Sequence, residues 1–360
     1  MHFARFALPL HHTNDTSHII LIRGKEGLIH RTGKDIQNVF QNLFKQRGKW
    51  RRKAKELAPY YSTDAPRLPE DGSPKKVICL FDGRIDHCGM TDRLRGIVSA
   101  YDVAKQLGYD FRIWFVNPFR LEDYLLPNEV DWRIDESEIS YNPADSHVMY
   151  CGSNDTHVER FFQRLWFKKC FQEAPRQVHV YTNAHLLPYG QRFGQRFHEL
   201  FRPSPALLQA VQSYTAPLQG GYYTMSLRFQ RLLGDFHERD GVDIAADEQQ
   251  RLMDRCISKI DELHRSLDPE KKIMLMSDSV RFLEYAASRL PYVRYVPGKV
   301  LHIDFCDSTP DDVNLKLFAD ILIISQAERA FLLQTGQMYN SGFPRRAAQV
   351  GNIPFKHIRF

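Results

Sequence analysis

Apolar and polar positions alternate along this chain in blocks whose period changes. Val77-Ile78-Cys79-Leu80-Phe81 is a continuous apolar run, as expected of a strand covered on both faces. After a polar loop, Leu94, Ile97, Val98, Tyr101, Ala104 and Leu107 recur at helical spacing, and Gly108 stands where a left-handed helix stop belongs. Residues 111–116 predict the next strand. Strand, loop, helix and strand within about 40 residues make a βαβ unit, which requires a parallel sheet and a right-handed crossover. Residues 178–182 predict a further strand of that sheet.

Pro203-Ser204-Pro205 opens a helix over 206–215, and Gly220-Gly221 breaks the chain before a strand over 222–229. The alternation then resumes. A strand is predicted over 272–276, a helix over 279–290 and a strand over 293–296. Next comes a helix ending in the apolar run 318–325, strand-like near its end, and a last helix over 341–350. Upstream, 18–22 reads as a strand and 34–44 as a helix, while Pro59, Pro66, Pro69 and Pro74 mark a linker. The pattern predicts an α/β protein in three parts: a basic extension and linker (1–74), a first Rossmann-like domain (75–205) and a second (206–360).

The composition suits two such cores, with 43% hydrophobic and 26% charged residues in 360. Apolar runs fall far short of the roughly 20 residues that cross a bilayer. The segment Met1-His2-Phe3-Ala4-Arg5 lacks an adequate apolar stretch behind it and reads as the start of the folded chain. Six cysteines without a CxxC pair predict buried thiols in a reducing cytoplasm. From Lys45 to Lys55 run seven cations, with Glu56 next; this excess equals the net charge of +6, and the rest of the chain is balanced. That excludes a generally cationic nucleic-acid-binding body. The run reads as a solvated helix end or as a peripheral contact with an anionic membrane surface.

Polar chemistry gathers where strands are predicted to meet helices. The loop from Asp82 to Gly96 carries Asp86, His87, Gly89, Asp92 and Arg93 at the carboxyl end of a buried strand, where α/β sheets bind ligands. Thr91 or Asp92 is expected to cap the following helix. Arg228 ends an apolar strand and offers a rigid fork of donors suited to a diphosphate, with Arg231 nearby. In Ser277-Asp278-Ser279 a carboxylate at a helix start can accept two N–H donors from a guanine edge. Ser341-Gly342-Phe343 leads from a glycine-containing loop into a helix, an arrangement that cradles phosphate. Together these segments describe a cleft between two domains.

These segments resemble, in order and spacing, the motifs of the fucosyltransferase superfamily. His87-Cys88-Gly89-Met90-Thr91-Asp92-Arg93-Leu94-Arg95-Gly96 is similar to its Gly-Asp-Arg-Leu loop. Ser226-Leu227-Arg228 is similar to its His-x-Arg motif, with Ser226 in place of the histidine and Gln230 or Arg231 in place of a second arginine. Ser277-Asp278-Ser279 and Ser341-Gly342-Phe343 resemble its two later motifs. The resemblance implies a GT-B-like fold of two facing Rossmann-like domains, and inverting transfer of fucose from GDP-fucose to a glycan hydroxyl without a metal or other cofactor. It implies donor contacts from Gly89, Arg93, Arg228, Arg231, Asp278, Ser279, Ser341, Gly342 and Phe343, with Arg228 also stabilising the leaving group. Asp92, Asp86 and His87 are the candidate bases, in that order. Cytoplasmic polysaccharide assembly is the expected setting. Two alternatives stand beside it: a transferase using another sugar nucleotide, and a non-catalytic glycan-binding relative, to which Ser226 points.

Overall fold

The computed structural model describes residues 20–24, 27–31, 33–152, 157–187, 192–218, 220–236, 241–298, 300 and 310–360. The chain divides between Arg52 and Lys53 into two compact units. In the first, strand β1 (Ile20–Gly24) pairs antiparallel with β2 (Gly27–Arg31). Helix α1 (Gly33–Lys55) runs beyond the expected end at 44, because its Lys, Arg and Gln residues are good helix formers. Residues 1–5, His18 and Ile19 lie outside the described residues, as does Cys306.

The second unit holds two parallel sheets. The first contains β3 (Lys76–Phe81), β4 (Asp110–Phe115), β6 (Ser146–Cys151) and β7 (Gln177–Thr182), in the order β4-β3-β7-β6. Helix α2 (Met90–Leu107) makes the predicted crossover from β3 to β4, and Gly108 closes it in the left-handed region at φ 69°. Helix α3 (His157–Glu173) makes the crossover from β6 to β7. A short antiparallel pair, β5 (Leu125–Pro127) and β8 (Phe201–Pro203), lies outside this sheet. Helix α4 (Arg192–Leu200) precedes β8, and α5 (Pro205–Thr215) follows it, capped by the Ser204 hydroxyl.

The second sheet contains β9 (Tyr222–Leu227), β10 (Lys272–Ser277), β11 (Val293–Tyr295), β12 (Arg329–Gln334) and β13 (Phe355–Arg359), in the order β11-β10-β9-β12-β13. Helices α6 (Ala246–Ser266), α7 (Val280–Arg289), α8 (Asp311–Ser325) and α9 (Phe343–Gly351) connect its strands. Its core gathers Met225, Leu227, Ile273, Leu275, Phe282, Phe331 and Leu333. The apolar run before Ser325 is helical to its end, contrary to its strand-like reading. It is buried among α5 and α9, and a segment covered on every side has no single apolar stripe to reveal its period. The strand predicted over 222–229 stops at Leu227, and a short 3-10 turn follows at Gln230–Leu233.

Gly96 brings α2 onto the end of β7. A Cβ there would stand 2.1 Å from the Thr182 carbonyl oxygen, which is backbone and cannot swing away. Gly96→Ala is therefore expected to destabilise the fold by about 3 kcal/mol. Urea denaturation reads this as a lowered midpoint; an unchanged midpoint would contradict the packing. Cys79, Cys151, Cys170 and Cys256 are buried and Cys88 is at the surface, and none of the five is in a disulfide. Among the described residues no helix is long and apolar enough to cross a membrane.

Candidate functional site

Each sheet reverses its winding at its centre. In the second sheet β9 stands between β10 and β12, and in the first β3 stands between β4 and β7. Beyond the carboxyl ends of such strands the connections diverge and leave a crevice. A cavity of about 480 Å³ opens there, walled by Gly89, Met90, Thr91 and Asp92 from the first half and by Arg228, Asp278 and Ser341–Pro344 from the second. Its floor is a row across three paired strands: Ser226 aligns with Met276 on one side and Leu332 on the other.

Arg228 leaves the end of β9 and is braced before any ligand arrives. Its Nε lies 3.3 Å from Asp278 Oδ2, and its guanidinium lies 4.4 Å over the Phe236 ring. Asp278 is buried, and its oxygens accept from the backbone N–H groups of Phe229 (2.9 Å) and Gln230 (2.7 Å). Burial raises its carboxyl above the usual range, against the pull of Arg228 and those two donors. Gln230 has φ 54°, a strained value for a side chain of its kind, and the carboxylate holds it there. Asp278 does reach the cavity, yet the donors expected from a guanine edge are supplied by its own backbone neighbours. The Arg228 carbonyl in turn accepts from Tyr339 N–H at 3.0 Å, which ties the loop before α9 to this strand end.

Two helix N-termini face the same space. Gly342 occupies the N-cap of α9 without a side-chain cap, and the Ser341 hydroxyl accepts from Phe343 N–H at 3.3 Å. Gly89 occupies the N-cap of α2, so this helix starts before Thr91 and Asp92, the caps expected from the sequence. The remaining N–H groups of both first turns favour an anion between them. Asp92 stands on the cavity wall, 38% exposed, with Arg95 Nη1 at 2.8 Å from its Oδ1.

Other predicted residues lie elsewhere. Asp86 is exposed and off the cavity wall. His87 is buried, its ring centroid 4.4 Å from that of Phe81 and 5.8 Å from that of Tyr181, and burial with the nearby Arg93 charge holds its imidazole well below the usual range. Arg93 turns inward, donating to the carbonyls of Cys88 (3.1 Å) and Asn117 (2.9 Å). Arg231 turns outward to Asp243. Ser279 caps α7, accepting from Phe282 N–H at 3.0 Å and donating to Asp235.

The sequence reading missed a charged pair inside this cavity. Lys316 and Asp320 lie one turn apart on α8, both buried, with Nζ 2.9 Å from Oδ2 and 3.2 Å from Oδ1. Val313 and Leu317 line the wall beside them. Burial raises the Asp320 carboxyl, against the attraction of Lys316. A charged pair four residues apart is costly to bury, and Lys316 and Asp320 interrupting the apolar positions of α8 were the available sign. Ser226 is also buried, and its hydroxyl finds no hydrogen-bond partner among the described residues. Among the described residues no group of three or more His, Cys, Asp or Glu side chains is arranged to hold a metal ion.

No protein-family model and no curated protein sequence matches the chain. Solved structures do. One is a NodZ alpha-1,6-fucosyltransferase soaked with GDP-fucose, 14% identical, with a TM-score of 0.50 over 77% of this chain and 93% of that one. Another is the fucosyltransferase NodZ from Bradyrhizobium, 15% identical, with a TM-score of 0.50 over 76% of this chain and 92% of that one. With its two parallel sheets meeting at one cavity, this chain has the GT-B-like α/β fold of the NodZ fucosyltransferases.

Proposed function

We propose that this chain is a glycosyltransferase that takes GDP-fucose as its donor. One observation carries the reading: a braced arginine and two helix N-termini converge on the same cavity as a buried Lys–Asp pair. The first group matches a diphosphate and the second matches a guanine edge. Lys316 can donate to the guanine O6, while Asp320 accepts from N1–H and the 2-amino group. Uracil and adenine do not present that sequence of one acceptor and two donors. The similarity to a NodZ structure soaked with GDP-fucose supports the choice of sugar.

The reaction is then an inverting transfer without a metal. The acceptor hydroxyl oxygen bonds to the sugar C1 as the bond from C1 to the diphosphate oxygen breaks, and GDP leaves. Arg228 and the N–H groups at the start of α9 stabilise the charge that builds on the diphosphate. Asp92, oriented by its ion pair with Arg95, takes the hydroxyl proton. Gly89 lets the acceptor-side backbone approach closely. The exposed and half-exposed cations from Lys45 to Lys55 suit peripheral contact with an anionic membrane surface.

Thermal shift with GDP, inosine diphosphate and UDP tests the donor assignment. Inosine lacks the 2-amino group, so one hydrogen bond to Asp320 is lost and binding should weaken about tenfold. GDP should therefore raise the melting temperature most, inosine diphosphate less, and UDP least. Asp320→Asn should shrink the difference between the two purines. Equal shifts for GDP and UDP would overturn the guanine assignment. No shift with any nucleotide would favour a glycan-binding protein without transfer.

A further inference from the structure

We propose that Tyr339 is the platform on which a sugar ring of the acceptor stacks, so that the second substrate presents the flat apolar face of a pyranose at the rim of this cavity. This rests on the transferase reading and adds a positioning residue and a shape requirement for the second substrate.

The lining of the cavity is graded in exposure. Ser226, Asp278, Lys316 and Asp320 line it and are all buried. Tyr339 and Asp92 line it too, but both remain open to solvent, Tyr339 at 51% exposure. They come from different halves of the fold: Asp92 from the first turn of α2, and Tyr339 from the loop before α9. The guanine and the diphosphate are placed on the less exposed groups, Lys316 with Asp320 and Arg228. The open pair at the rim is left to the substrate that enters over the bound donor, and its hydroxyl must come to Asp92.

The backbone holds Tyr339 in place. Its N–H donates to the Arg228 carbonyl, and its own carbonyl accepts from Ser341 N–H at 3.0 Å. Met338, just before it, is buried with its sulfur 4.0 Å from that of Cys256, and the Met338 carbonyl accepts from Gln334 Nε2 at 2.7 Å. One residue is anchored in the core and the next carries its ring to the cavity. Among the described residues no other ring stacks on Tyr339, and its hydroxyl has no hydrogen-bond partner. Single exposed aromatics are ordinary on a surface. This one lines a cavity on a clamped backbone, so little further ordering is needed when a ligand arrives. A pyranose whose C–H bonds stand axial on one face has an apolar side, with its hydroxyls projecting around the edge. Tyrosine suits that partner, being apolar on its face and polar at its tip. A sugar laid on Tyr339 keeps those edge hydroxyls free for Asp92.

Initial rates of GDP release from GDP-fucose test this, with methyl β-glucoside, methyl β-galactoside and methyl β-mannoside as acceptor probes and glycerol as a hydroxyl-bearing control without a ring. At least one glycoside should raise the rate above that in buffer, and glycerol should not. Tyr339→Ala should raise the KM for that glycoside about tenfold and change kcat less. Tyr339→Phe and Tyr339→Trp should keep most of the wild-type KM, because the ring face makes the contact. Calorimetric titration with GDP should give the same affinity in every variant, which also shows that each is folded. An unchanged KM in Tyr339→Ala would overturn the proposal, as would a Tyr339→Phe protein that behaves like Tyr339→Ala. So would weakened GDP binding in Tyr339→Ala, which would put the ring on the donor, or a wild type that binds GDP-fucose and responds to none of the glycosides. A wild type that binds neither GDP nor GDP-fucose would instead sink the donor reading, and the titration shows that separately.

Discussion

Arg228→Ala should lower turnover of GDP-fucose by about a thousandfold, the usual scale for a group that stabilises charge in a transition state. The protein should remain folded. Asp278 loses its ion pair in this variant but keeps the N–H groups of Phe229 and Gln230, so its charge is not stranded. Arg228→Lys should recover only part of the rate, because an ammonium cannot make the two-point contact of a guanidinium. Initial rates of GDP release, with circular dichroism to check the fold, measure this. Wild-type rates in Arg228→Ala would remove Arg228 from the phosphate clamp.

Asp278→Asn should do the opposite kind of damage. Its oxygens sit against two backbone donors and one guanidinium, and an amide brings two donors of its own to the same place. One buried N–H is then left facing another, and the negative charge opposite Arg228 is gone. The expected cost is about 3 kcal/mol of stability, together with weaker GDP binding because Gln230 and Arg228 lose their brace. Denaturant unfolding and GDP titration read the two effects on the same sample. A variant as stable as wild type would show that the carboxylate charge does not hold this turn.

Much of the architecture was legible because a few segments carry an unambiguous period. The apolar run of β3, the helical spacing of α2 and Gly108 behind it define the first βαβ unit without tertiary knowledge. Strand β6 was not read, since Ser146-His147-Val148-Met149-Tyr150-Cys151 mixes polar and apolar residues without clean alternation. Helix α6 was missed for a related reason: Met253, Cys256, Ile260 and His264 form a narrow buried stripe on a highly charged segment, and its N-cap, Ala245, makes no capping hydrogen bond. Strands β12 and β13 follow a helix whose own apolar run resembles a strand.

The site divides in the same way. Arg228, Asp278 and the loop before α9 stand at strand-to-helix junctions, and junctions can be found by pattern. Arg93 and Arg231 were expected at the cavity because of their positions in the chain, but where a long side chain points depends on its tertiary partners. Here these are the carbonyls of Cys88 and Asn117 for one and Asp243 for the other. Lys316 and Asp320 belong to no motif. Their place at the cavity comes from the way α8 packs against α5 and α9, a tertiary arrangement.

Everything proposed for this chain requires that the cavity at Arg228 bind a GDP-sugar. Calorimetric titration of GDP-fucose into the wild-type protein and into Arg228→Ala tests it most directly. One GDP-fucose per chain should bind saturably to the wild type, and the variant should lose at least about tenfold in affinity. Absence of binding to the wild type, or equal affinity in both proteins, would contradict it.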